Sequence, residues 1–133
     1  LVTAVPPGSG AQDWVAPAAE RERANPMASS PEALQKGAEL YKRYCLLCHG
    51  EKGKGDGPAS RMHAQRTSEP PRDLTLRASQ ARLTDGEIYW KLSTGLKRGD
   101  QVIMPAFEGE ITKADDRWKL VHFIRSLRAE EPK

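Results

Sequence analysis

The feature that most constrains this chain is its cysteine pair. Its 133 residues hold two cysteines, Cys45 and Cys48, with two residues between them and His49 directly after. A pair that close cannot tie distant segments together. Hydrophobic residues make up 38% and aromatics 6%, alongside ten prolines and eleven glycines. That is a lean, loop-rich core for one domain. Such cores are often completed by a disulfide, a metal or a prosthetic group.

Composition removes several functions. No run of about 18 apolar residues is present to span a membrane. Residues 1–10 are small and Pro-rich with no basic flank, so no signal peptide is expected and the chain reads as a mature or trimmed form. A net charge of +3, with no basic block interleaved with aromatics, excludes nucleic acid as an expected partner.

Residues 1–28 read as an extended Pro/Ala-rich strap or linker, with Trp14 a candidate to dock on the domain that fills 29–133. Ser29 with Glu32, and Ser30 before Pro31, are helix-start signals. Leu34, Ala38, Tyr41 and Cys45 then repeat at helical spacing. Residues 50–83 read as mostly irregular, with a Pro-Pro pair at 70–71. Thr84 and Glu87 form a second capping box for a helix that stops at Gly95. A loop over 96–111 carries Met104, and a last helix starts at Thr112. No convincing strand alternation is present. The expected fold is all-α, with about three main helices and long loops.

The string Cys45-Leu46-Leu47-Cys48-His49 is the C-x-x-C-H signature of c-type haem attachment. Two thiols add to the two vinyl groups of one haem, and the neighbouring histidine reaches its iron. A thioredoxin-like dithiol normally sits in a βαβ context, which is missing here. A zinc site needs four ligands, and His63 and His122 are the other donors on offer. Two structural thiols are the plain alternative.

Around that motif the chain resembles the class I cytochrome c family, in the bacterial branch with CHGxxGxGDGP after the haem site. The resemblance runs from about Ser29 to Leu127. It rests on the helix with Gly37 and Tyr41, CLLCHG, GKGDGPA, PPRDL, DGEIYWKLSTG, MPAF and RWKLVHFIRSL. It implies a cytochrome c fold wrapped around one haem, covalent through Cys45 and Cys48, with iron ligated by His49 and Met104. Pro71 matches the proline whose carbonyl accepts from the histidine ligand's other ring nitrogen, with Pro70 as the alternative register. Leu74 would press on the haem. Gly37 and Tyr41 would let the last helix, with Trp118, cross closely.

Met27, Met62, His63, His122 and an open position compete with Met104 for the sixth site. Met62 and His63 read as a surface-loop pair, and His122 as solvated on the polar side of its helix. GKGDGP lacks the ending of a phosphate loop and reads as a tight turn. Trp90 is a candidate donor to a haem propionate, with core packing as the alternative. Lys52, Lys54, Lys97 and Arg98 are candidates for a docking patch.

The function implied is electron transfer between redox proteins of a respiratory or related chain, without catalysis by this chain itself. The alternative is a haem domain of a larger redox complex. Haem attachment of this kind implies a location in the periplasm or at the outer face of the cytoplasmic membrane.

Overall fold

The computed structural model describes residues 14–129; the rest of the expected strap, residues 1–13, lies outside them. Its helices are α1 Ala18–Arg21, α2 Pro31–Tyr44, α3 Leu46–His49, α4 Ser60–Thr67, α5 Arg77–Arg82, α6 Asp85–Thr94 and α7 Ala114–Ser126. The cytochrome c-type all-α expectation holds, with α2, α6 and α7 as its long helices. Two differences appear. Short α4 and α5 occupy part of the stretch expected to be irregular. A small antiparallel hairpin, β1 Leu96–Arg98 and β2 Gln101–Met104, replaces the start of the expected loop. Strands of three and four residues are too short to show alternation against their charged neighbours.

The caps follow local chemistry. Ser30, not Ser29, caps α2: its hydroxyl accepts from the Ala33 N–H at 3.0 Å. Thr84 and Glu87 complete a capping box on α6, and Gly95 ends it at φ +69°. Helix α7 begins at Ala114, two residues later than expected, with Lys113 at its N-cap.

Helix α2 crosses α7 at Gly37, which is buried. A Cβ there would lie 2.6 Å from the Lys119 carbonyl oxygen and 2.7 Å from Phe123 Cβ. Tyr41 packs on Phe123 one turn further, with ring centroids 5.2 Å apart. Trp118 faces α6 instead and stacks on Tyr89 at 3.9 Å. Leu120 and Val121 complete the fully enclosed centre.

Residues 14–28 lie against this core. The α1 backbone abuts Gly86, where any Cβ would collide with the Glu20 carbonyl. Asn25 Nδ2 donates to the Trp118 carbonyl at 2.9 Å. His122 Nε2 donates to the Met27 carbonyl at 2.6 Å, so His122 is a partly buried anchor and not the solvated residue its helix projection suggested. Arg23 lies over the Tyr89 and Trp118 rings.

Replacing Gly37 by alanine should push α2 and α7 apart. Overpacking of this kind costs about 1–3 kcal/mol. Denaturant unfolding of the haem-loaded protein checks it: the expected result is a lower midpoint with unchanged slope.

Candidate functional site

The cysteine-histidine string folds as one helical turn. The Cys48 and His49 amides both donate to the Cys45 carbonyl, at 3.3 and 2.9 Å. Spacings of three and four place Cys45, Cys48 and His49 on one face. Gly50 then takes φ +88°, a conformation that favours glycine. The buried Tyr41 hydroxyl donates to the Gly50 carbonyl at 2.6 Å, and burial pushes its pKa up.

The glycine loop that follows caps this turn. Gly55, Gly57 and Ala59 donate their amides to the carbonyls of His49, Cys48 and Leu47, at 2.7, 3.1 and 2.8 Å. Those carbonyls end a short helix and need partners. Gly57 is required for the approach: a Cβ would run into the Leu46 and Leu47 carbonyls. The loop therefore offers its amides to protein carbonyls, consistent with a turn and not a phosphate cradle.

His49 Nδ1 donates to a backbone carbonyl at 3.0 Å, but the acceptor is Arg72, not Pro71. The Pro71 carbonyl is turned onto Gly55, where a Cβ would meet it at 2.6 Å. The expected role thus moves one residue along, to a position that neither register of the double proline gave. With Nδ1–H engaged, Nε2 keeps its lone pair for a metal. Burial pulls the His49 pKa below the usual imidazole value, outweighing the Arg72 bond that raises it; the neutral ring is the ligating form.

Two adjoining cavities, of about 690 and 310 Å³, open in front of this turn. Cys45, His49, Met104, Arg72 and Trp14 line both. Cys48 and Pro71 line the larger, and Leu74 the smaller. His63 reaches only the larger, while Met62 is 72% exposed and lines neither. Met27 packs at the core edge, and its carbonyl is taken by His122. Trp90 lines neither cavity; the tryptophan found there is Trp14.

Met104 ends β2, opposite Leu96. Beyond it, the Phe107 and Glu108 amides donate to the Leu92 and Ser93 carbonyls at the end of α6. Gly95 makes the approach feasible, since a Cβ would lie 2.5 Å from the Met104 carbonyl. The other wall is pinned to α7: Gln80 Nε2 donates to the Leu74 and Ile124 carbonyls at 2.8 and 2.9 Å.

The donor set suits a haem. Burial, reinforced by Cys48, pushes the Cys45 thiol up to about 12. Burial also raises Cys48, against a lowering effect of Arg66. A dithiol oxidoreductase needs the opposite shift. Among the described residues no three His, Cys, Asp or Glu side chains converge to hold a bare metal ion. An apolar cavity lined by one imidazole, one thioether and two thiols suits a porphyrin.

Fold and site together define a monohaem c-type cytochrome, with covalently bound haem iron and electron transfer as its chemistry. Specifically, the chain belongs to the family described as cytochrome c oxidase, cbb3-type, subunit III, whose model matches residues 32–124. No curated protein matches. Among solved structures, a chain of the reducing HAO-like protein complex of Kuenenia stuttgartiensis is similar, at 28% identity and a TM-score of 0.61. The match covers 78% of this chain and 47% of that one, so this chain spans about half the length of its structural relative.

Gly57→Ala tests the capped turn. The added methyl should displace Leu46 and Leu47 and destabilise the protein by about 1–3 kcal/mol. The yield of haem-loaded protein, read as the ratio of Soret to protein absorbance, should fall with it.

Proposed function

We propose that this chain is a one-electron carrier whose haem is bonded to Cys45 and Cys48 and ligated by His49 and Met104, with Pro71 and Leu74 against it. The observation that carries this reading is that His49 and Met104 line the same two cavities as Cys45, while His49 Nδ1 is already engaged by the Arg72 carbonyl. When bound, the haem supplies the one-electron iron couple. The chain's part is to hold the haem through His49 and Met104, exclude water and present a docking surface. Nδ1–H donation orients the imidazole and raises its basicity. A thioether as the other ligand favours reduced iron relative to two nitrogen donors. With His49 and Met104 both holding the iron, it would have no open position for a substrate, which supports a carrier over an enzyme.

Redox proteins of a respiratory or related chain are the proposed donor and acceptor, at the periplasmic side or outer face of the cytoplasmic membrane. Among the described residues no helix is long and apolar enough to cross a membrane. The docking patch needs revising. Arg98 is paired with Glu69 at 3.1 Å, leaving Lys52, Lys54 and Lys97 as its exposed cations. Leu47 and Val102 line the larger cavity and are 60% and 39% exposed. An apolar rim with a thin basic surround favours weak electrostatic steering.

The alternative role, a haem domain within a larger redox complex, is favoured by one observation: the structural relative belongs to a protein complex, and the match covers 47% of that chain.

Met104→Ala tests the ligand set. The oxidised wild-type protein should show the weak far-red band of sulfur-to-iron ligation. The variant should lose that band, and its reduction potential should fall. An unchanged spectrum would assign the sixth position to another residue, with His63 the first to examine.

A further inference from the structure

Trp14 lines both cavities, beside Cys45, His49 and Met104. Its indole Nε1–H is buried and has no acceptor. Indole nitrogen is a donor only, and leaving a buried donor unpaired costs about 1–3 kcal/mol. The missing partner is an acceptor that enters with a ligand.

The charges nearby indicate what that acceptor is. The Lys91 ammonium lies 4.9 Å from the Trp14 ring centroid. Arg72, Arg82 and Lys91 line the smaller cavity against one carboxylate, Asp73. Asp73 Oδ1 is already occupied by the Thr75 amide and hydroxyl, at 2.8 and 2.5 Å. Burial lowers the Lys91 pKa, and Arg72 lowers it further, against an opposing effect of Glu87. Cations are therefore held close together with an orphaned N–H beside them, while Leu74, Ile88 and Leu92 give the same cavity an apolar wall. A flat apolar ligand with an anionic edge satisfies both halves, and a haem with its two propionates is such a ligand.

We propose that Trp14 donates its indole N–H to a haem propionate, with Lys91 and Arg72 supplying the counter-charge, so that the strap is part of the haem site. This rests on the haem reading above. The strap's anchors hold the indole there: Ala16 is buried, α1 abuts Gly86, and Asn25 and Met27 bond to α7. The N–H offsets part of the propionate's negative charge as felt at the iron. Its removal favours the oxidised state.

The test uses the haem-loaded full chain. Trp14→Phe keeps an aromatic ring and deletes the N–H; Trp90→Phe makes the same change outside both cavities. Spectroelectrochemistry should show a lower potential for Trp14→Phe, equivalent to about a threefold or larger rise in the oxidised-to-reduced ratio at fixed poise, and no change for Trp90→Phe. In the reduced wild-type protein, the Trp14 indole proton should be shifted by the haem ring current and exchange slowly with solvent. That resonance needs no variant to fold. Attached, six-coordinate haem with an unshifted, freely exchanging Trp14 proton would overturn this proposal alone. Wild-type protein without attached haem would overturn the haem reading, and this one with it.

Discussion

The 3.0 Å bond from His49 Nδ1 to the Arg72 carbonyl joins the two halves of the site. One half is the turn that closes α2; the other is the Pro-Pro segment leading to Leu74. No helix or strand holds one against the other. Backbone bonds do so instead: the glycine loop donates to the turn's carbonyls, and its Gly53 carbonyl accepts from Leu74 at 2.6 Å. The imidazole therefore sits in a frame of hydrogen-bonded backbone groups, and its own bond to the Arg72 carbonyl limits its rotation.

The α2–α7 crossing supports that frame from behind. Gln80 and Arg125 carry the support forward. Arg125 reaches Asp85 at 2.7 Å and the Gln80 carbonyl at 2.6 Å, tying the cavity wall to the last helix. Arg117 does the same between the loop and α6, bonding the Ile111 carbonyl and the Tyr89 hydroxyl at 2.6 and 2.8 Å. Guanidinium groups bridging loops to helices take on work that a richer apolar core performs elsewhere, which is consistent with the low aromatic content.

Features set by local chemistry were legible in the sequence. The C-x-x-C-H turn, the Thr84 capping box and the Gly95 stop each depend on a few neighbouring residues, whereas the close approach at Gly37, whose partners lie on α7, was legible only through the family resemblance. Features set by long-range backbone contacts were not. The acceptor for His49 falls on Arg72 because Pro71 is turned to Gly55, a choice made by packing between two loops. His122 looks solvated on a helix projection, yet a carbonyl 95 residues away accepts a hydrogen bond from its ring. The hairpin before Met104 is too short for its alternation to register. Trp14 carried no motif at all; its importance comes from an anchored strap and an N–H left without an acceptor.

The central claim is covalent attachment of one haem at Cys45 and Cys48, and mass spectrometry of a tryptic digest tests it most directly. Cleavage after Arg43 and Lys52 isolates residues 44–52, which hold both cysteines and His49. This peptide should carry the mass of one haem, and neither thiol should react with an alkylating reagent after denaturation. A haem-free peptide with two alkylated cysteines, from protein made with the haem-attachment machinery present, would contradict it.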